Sequence, residues 1–153
     1  MEKPISSIFS ISRRQNDFDD IEPDFYGEKI EIFLNDSLYN LYHEFKDFNN
    51  GVLRRYVTGI IVYPVLVEAI TLVCGYYQAE SEVEVQISEK RWFRAIEKKA
   101  SKMNIDMSTY QDSSVSLANK MLGEIALEAL HSFKDTLDNE MNSGETLTIG
   151  GID

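Results

Sequence analysis

The chain has 153 residues, 43% of them hydrophobic and 27% charged, a composition that predicts one globular domain and excludes a disordered chain. The formal net charge of -11 repels nucleic-acid phosphates and anionic headgroups, so direct nucleic-acid binding is not expected. The single Cys74 excludes an internal disulfide, and no basic, apolar leader opens the chain. Both observations favour a reducing, cytoplasmic location.

The N-terminal part of the chain predicts two strands joined by an acidic loop. Residues 5–12 are rich in β-forming side chains and predict a short strand. Residues 13–27 are polar and acidic and predict a loop. Residues 29–34 alternate cleanly between polar and apolar and give the clearest strand pattern. Their apolar face consists of Ile30, Ile32 and Leu34.

Two helices are predicted next. Asn35-Asp36-Ser37 supplies capping side chains, and one apolar face then predicts a helix from about residue 37 to 48. That face consists of Leu38, Leu41, Tyr42, Phe45 and Phe48. A second helix starts near residue 52. Because proline lacks a backbone donor and clashes one turn back, we expect a kink or restart at Pro64.

Residues 60–77 form the most apolar run of the chain, with Glu68 as its one side chain that is charged at neutral pH. The run is shorter than the ~20 residues of a typical membrane span and contains Pro64, so we expect a helix in a soluble core. A carboxylate in a core must pair or stay protonated. The possible partners are Arg54, Arg55, Arg91 and Arg94. We expect a buried ion pair of Glu68 with Arg91 or Arg94; a subunit-interface role comes next, and a catalytic acid last.

The C-terminal half predicts two more helices. Residues 80–87 alternate and fit either an edge strand or an extended loop, and Ser88 then supplies a helix cap. The buried face of that helix is Trp92, Phe93, Ile96, Ala100 and Met103. Ser113 or Ser114 caps the last helix, which is predicted over about 115–138.

Taken in chain order, these elements predict an α+β fold that is mainly helical. About four helices carry a small two- or three-stranded antiparallel sheet. The single globular domain is expected to cover residues 1–138, with an acidic loop at 13–27. Residues 139–153, which contain Ser143-Gly144 and Gly150-Gly151, are expected to form a flexible tail.

No residue pattern in the chain indicates catalysis, a cofactor or a metal. The glycines do not cluster before a helix as a phosphate-binding loop requires. His43, Cys74 and His131 are too far apart in sequence for a zinc pattern, and no serine stands in a nucleophile-elbow context. The sequence therefore favours a non-enzymatic function, with no catalytic, metal-binding or cofactor-binding residues.

The densest acidic cluster lies in the predicted loop at 13–27. It lacks the glycine and the distal glutamate of a calcium-binding loop, so a solvated or partner-facing segment is the better interpretation. Apolar residues lie between the acids, which makes the segment a candidate docking segment for a protein partner. It consists of Asp17, Phe18, Asp19, Asp20, Ile21 and Glu22.

Four segments carry a resemblance to a known group of proteins. They are Val62-Tyr-Pro-Val-Leu-Val-Glu-Ala-Ile70, Arg91-Trp-Phe-Arg-Ala-Ile96, Asn104-Ile-Asp106 and Leu117-Ala-Asn-Lys-Met-Leu-Gly123. In this order they resemble the C-terminal region of uncharacterised bacterial and phage-associated proteins, over roughly residues 28–131. The resemblance implies no chemistry; it implies a fragment of a longer protein or a short free-standing version. Family members often have a proline after the Leu-Gly pair, where this chain has Glu124.

Two functions from different classes fit these observations. The first is a non-enzymatic protein-interaction or oligomerisation module of a bacterial or phage protein, which binds a protein partner or a second copy of itself. The alternative is an acidic inhibitor that imitates the charge of DNA and blocks a nucleic-acid enzyme, motivated by the acidic ends of the chain. In both cases we expect the cytoplasm of a bacterial or phage-infected cell and no membrane.

Overall fold

The computed structural model describes residues 4–14, 21–46, 51–78 and 85–142. A 3-10 turn at Ile5–Ile8 precedes three strands, β1 (Phe9–Arg13), β2 (Ile21–Asp24) and β3 (Ile30–Leu34). The helical elements are α1 (Asp36–Lys46), α2 (Gly51–Val57), a π turn (Thr58–Val62), α3 (Tyr63–Gln78), α4 (Val85–Ser88), α5 (Arg91–Lys102), α6 (Ser114–Met121) and α7 (Ile125–Asn142). The prediction of a mainly helical α+β fold with a small sheet is confirmed. The predicted number of about four helices is wrong, since the described chain has six when α2, the π turn and α3 are counted as one.

The sheet has three strands in the order β1-β3-β2, and it is mixed rather than antiparallel. β2 runs antiparallel to β3, whereas β1 runs parallel to β3 with Phe9 opposite Ile30. β3 is the central strand because it pairs with both β1 and β2, and its Ile30, Ile32 and Leu34 are all fully buried. The antiparallel prediction is wrong for β1, since the chain crosses over from one edge of β3 to the other before β3 begins.

The N-terminal boundaries differ from those predicted. Ile5–Ile8 forms a 3-10 turn, and the strand begins only at Phe9. The predicted acidic loop contains β2, whose Pro23 lies opposite Ile32. β2 is an edge strand, which is the position where a sheet tolerates proline's missing N–H. Because the segment contains a proline and several acids, its hydrophobic pattern does not indicate a strand.

The helix does not restart at Pro64. α2, the π turn and α3 form one continuous helix, hereafter the long helix, and Tyr63 has helical angles of φ -57 and ψ -49. The N–H of Tyr63 bonds the carbonyl of Thr58, five residues back. This wider turn lies directly before the proline, where a normal helix would lose a hydrogen bond, and π turns are a known way for a helix to absorb such a disruption.

The third predicted helix begins later than expected. Val85–Ser88 is a short helical turn, so the strand or extended interpretation of 80–87 is wrong for residues 85–87, while residues 80–84 lie outside the described chain. Ser88 ends α4 and does not cap α5. α5 follows Lys90, which makes no side-chain cap; instead the carboxylate of Glu28 accepts the Arg91 N–H at 3.0 Å.

The last predicted helix is divided into α6 and α7. Gly123 and Glu124 between them have positive φ angles of 73 and 59, which end α6 and redirect the chain. The capping prediction is confirmed, because the Ser113 hydroxyl accepts the Ser116 N–H at 3.1 Å. α7 continues to Asn142, so residues 139–142 of the predicted tail are helical, and 143–153 lie outside the described chain.

The sheet, the long helix, α5 and α6 share one core. Four of the five residues predicted for the buried face of α5 are fully buried and Met103 is half-buried, and the long helix also contributes fully buried side chains, which confirms both segments as core elements. Fully buried side chains are Leu66, Ala69, Ile70, Val73, Trp92, Phe93, Ile96, Ala100 and Ala118. α7 lies along α2 and the π turn, at the edge of this core.

Candidate interaction surfaces

Glu68 is exposed, so the prediction that it lies buried in an ion pair is wrong. Its helical neighbours Ala69 and Ile70 are fully buried, and Glu68 falls on the opposite side, next to the exposed Thr71. No ion pair among the described residues includes Glu68. The physical reason is desolvation: even on the most apolar helix of the chain, the one charge takes the face that water can reach.

The arginines predicted for Glu68 lie elsewhere. The Arg91 Nε lies 3.9 Å from the Glu28 carboxylate, whose oxygen also accepts the Arg91 backbone N–H. Arg94 is exposed on the same helix. Glu28 belongs to the turn between β2 and β3, so this contact attaches the start of α5 to the sheet. Because the Arg91 side chain is 88% exposed, the ion pair itself contributes little.

Trp92 makes the second contact between α5 and the same turn. Its indole Nε1 donates a hydrogen bond to the Phe25 carbonyl at 2.9 Å, and the two ring centroids are 5.7 Å apart. The Trp92 N–H also donates to the Glu28 carbonyl. The ring is fully buried, which confirms its prediction as a core residue. These groups leave Trp92 with a structural role.

The predicted docking segment lies only partly within the described chain. Its residues Asp17, Phe18, Asp19 and Asp20 lie outside that part. Ile21 and Glu22 begin β2, where Ile21 lies opposite Leu34. The Glu22 carboxylate contacts the Arg14 guanidinium at 3.0 Å. These two residues therefore stabilise the edge of the sheet, and the docking role of the segment stays a prediction.

The described chain brings no three potential metal ligands of the His, Cys, Asp or Glu type together. His131 is exposed, and His43, also exposed, stacks on Tyr39 with ring centroids 5.9 Å apart. Cys74 is half-buried, and burial raises the pKa of its thiol. A raised pKa leaves less thiolate near neutral pH and makes a poor nucleophile.

An apolar groove of about 260 Å³ lies between the long helix and α7. Its lining is formed by Arg55, Tyr56, Gly59, Ile60, Tyr63, Ile125, Ala126 and Ala129. The Ile60 side chain at its rim is 64% exposed. Tyr63, on the same helix as Ile60, is fixed by a hydrogen bond from its hydroxyl to the Val115 carbonyl at 3.1 Å. The groove is therefore a preformed apolar surface open to solvent.

The apolar surface continues along one flank of α7. The flank, hereafter the α7 flank, consists of Ala126, Leu130, Phe133, Leu137 and Met141. Their spacings of three and four residues place them in one row. Leu130 is 67% exposed and Met141 75% exposed, although both belong to residue types that normally lie inside. The row is continuous with the groove through Ala126. Phe133 and Leu137 are half-buried, with the Phe133 ring against that of Tyr56, whereas the other members of the flank are exposed.

A second cavity, of about 650 Å³, lies on the other side of the contact between α2 and α7. Four cationic residues from three helices line it: Arg54, Arg55, Lys99 and Lys120. Glu128 is the one acid in the lining, and its carboxylate lies 3.6 Å from the Arg55 guanidinium. We call this the cationic cavity. It is an unusual feature in a chain with a net charge of -11.

Sequence reasoning missed both surfaces. Helical spacing identifies an apolar face on a predicted helix, but it does not say whether the rest of the protein covers that face. Gly123 is the residue in the sequence that could have indicated this surface, because the helix is interrupted there and α7 then runs along the rim of the molecule. The four cations of the cavity come from distant parts of the chain, and no sequence pattern brings them together.

The long helix is apolar enough to be compared with a membrane span. Over Arg54–Gln78 its mean hydropathy reaches 2.1, and 39% of that apolar window is buried inside the protein. Core helices of soluble proteins share this length and composition, so these values do not decide between the two environments.

Comparison with protein-family models, with curated proteins and with solved structures found no match to this chain.

Proposed function

We propose that the chain is a non-enzymatic oligomerisation module of a bacterial or phage protein, and that a second copy of the chain covers its apolar surface. The observation that carries this proposal is the exposed α7 flank, continuous with the groove beside Ile60. Removing apolar surface from water contributes roughly 25 cal/mol per Å², so an uncovered row of this kind favours association. A helix laid against a groove is a common way to bury it.

Charge on α7 supports a second copy in antiparallel orientation. Lys134 and Asp138 lie one turn apart, are both exposed, and follow the same edge of the α7 flank. In an antiparallel pair related by a two-fold axis, equivalent edges of the two helices face each other in reverse order. With the axis near Thr136, Lys134 of each copy faces Asp138 of the other. Each copy thus supplies the opposite charge that its partner needs.

The surface predicts a modest affinity. One helix row with a neighbouring groove is smaller than the interface of an obligate dimer, which commonly exceeds about 2,000 Å². The net charge of -11 on each copy adds long-range repulsion. We therefore expect a reversible dimer, with a dissociation constant on the order of micromolar.

Leu130→Asp tests the interface directly. A carboxylate in the centre of the α7 flank would have to be desolvated on pairing, so the variant should stay monomeric in sedimentation equilibrium runs that show a wild-type dimer. Asn139→Asp is the control. Asn139 is exposed on the side of α7 that faces away from the α7 flank, so a carboxylate there should leave the dimer intact. Equal loss in both variants would contradict the proposed interface.

The acidic DNA-mimic remains the second proposal. It rests on the acidic ends of the chain, but the described surface is not uniformly acidic. Arg91, Arg94 and Lys98 are exposed in one row along α5, where an imitation of a phosphate backbone would place acids. This row is the reason for preferring self-association.

We also propose a cytoplasmic location without membrane insertion. The long helix contacts α6 and α7 along its length, and Glu68 lies on its exposed side. Placing a glutamate side chain at bilayer depth costs free energy, and a location in water avoids that cost.

A further inference from the structure

The cationic cavity is an electrostatic exception within this protein. The chain has 26 acids against 15 lysines and arginines, so a surface chosen without bias would be lined mainly by acids. The cavity reverses that ratio, with four cations and one acid. Like charges repel at close range, and collecting them in one concave place costs free energy that an anionic ligand would recover.

One of the cations is held in place before any ligand binds. The Arg55 guanidinium donates a hydrogen bond from one amino group to the Ser132 hydroxyl at 3.2 Å. Its other amino group lies 3.6 Å from the Glu128 carboxylate. Ser132 is buried, so this hydrogen bond holds the Arg55 guanidinium against the protein interior. An arginine fixed in this way loses less conformational entropy when it binds an oxyanion.

The rest of the lining combines hydroxyls with an apolar wall. Ser6 and Thr58 line the cavity beside the cations. Its apolar wall consists of Ile5, Met121, Leu122 and Ile125. Ile125 is the first residue of α7, whose N-terminus adds partial positive charge to the same place. The volume of about 650 Å³ lies within the range of small-molecule sites.

We infer that the cationic cavity binds a small organic phosphate, with Lys99, Lys120 and the two arginines around the phosphate and the apolar wall against the organic part. Several cations with hydroxyls match the multiple oxygens and charge of a phosphate better than a single carboxylate, which one arginine satisfies. The organic part follows from Pro4, which is exposed, and Leu122, which is half-buried, because both line the cavity and inorganic phosphate would leave their apolar surface in water. The other members of the wall are already buried by the protein. The cavity shares Arg55 and Ile125 with the apolar groove, but none of its lining residues belongs to the α7 flank.

Isothermal titration calorimetry of the full chain, without added divalent metal, tests the site with two probes. ADP carries phosphates on a flat organic body, whereas pyrophosphate carries the phosphates alone. We expect saturable binding of ADP, tighter than that of pyrophosphate. Lys99→Gln should weaken ADP binding by about tenfold, because one charge-assisted contact is lost. Lys120→Gln should act in the same direction.

Lys98→Gln is the matched control. It removes the same charge from the neighbouring position of α5, but Lys98 does not line the cavity, so ADP binding should change little. Thermal melting of each variant checks that the fold is kept. The inference would be overturned if the wild type bound neither probe at millimolar concentration, or if Lys98→Gln and Lys99→Gln weakened binding equally. Pyrophosphate binding as tight as ADP binding would overturn the role of the apolar wall.

Discussion

At the scale of single residues, solvation decides where the charged groups of the apolar segments lie. Glu68 sits in the most apolar run of the chain and still reaches water, while Trp92 is buried because the Phe25 carbonyl accepts its one polar hydrogen. The difference is whether a partner lies within reach inside the core. A residue's type in the sequence indicates the cost of burial, but the partner is set by the fold.

Glu68→Ala and Glu68→Gln should each change the free energy of unfolding by less than about 0.5 kcal/mol, because an exposed side chain without an ion pair has little to lose. Urea denaturation followed by circular dichroism measures this change. Trp92→Phe serves as the positive control, since it leaves the buried Phe25 carbonyl without its donor and should cost at least about 1 kcal/mol. A loss of several kcal/mol of stability in Glu68→Ala would contradict the exposed position and support a buried ion pair.

At the scale of elements, backbone conformation divides helices that hydrophobic periodicity joins. The apolar stripe runs without interruption from Ala118 to Leu137, yet Gly123 and Glu124 take left-handed angles and separate α6 from α7. The opposite happens at Pro64, where periodicity and a π turn carry the helix past a residue that usually ends one. Local turn geometry therefore decides the direction in which the α7 flank faces.

Gly123→Ala should destabilise the protein by about 1–2 kcal/mol, the usual penalty for a side chain at a left-handed angle. A Cβ at Gly123 would meet no atom within 4 Å, so the backbone angle, at φ +73, is the one cause. Gly75→Ala is the matched control. Gly75 lies within α3 with equally open surroundings, so alanine there should stabilise by about 0.5–1 kcal/mol. Thermal or urea unfolding of both variants should show opposite signs; the same sign would contradict this account.

Particular elements show how far the sequence predicts this fold. The alternation of residues 29–34 identifies β3, and helical periodicity identifies the buried faces of the long helix and α5. Both patterns depend only on residues that are close in sequence, so they can be recognised without knowledge of the fold. The parallel pairing of β1, the strand β2 within an acidic segment, and both interaction surfaces depend on contacts between distant residues. No spacing within one segment contains that information.

At the scale of the whole molecule, charge and apolar surface act in opposite directions. The net charge of -11 keeps copies apart, and the α7 flank draws them together over one short helix row. Association therefore depends on local complementarity rather than on the average surface. Lys134 and Asp138 supply that complementarity only if the two helices are antiparallel, which makes the orientation testable through charge alone.

Sedimentation velocity on a mixture of two charge variants tests this arrangement most directly. Lys134→Glu alone places two acids opposite each other across the proposed pair, and Asp138→Lys alone places two lysines there, so each variant should be monomeric at roughly tens of micromolar. In an equimolar mixture each copy supplies the charge that the other needs, and the dimer of the wild type should return. A mixture that stays monomeric while the wild type dimerises would contradict the antiparallel pair, and a wild type that is itself monomeric would contradict self-association.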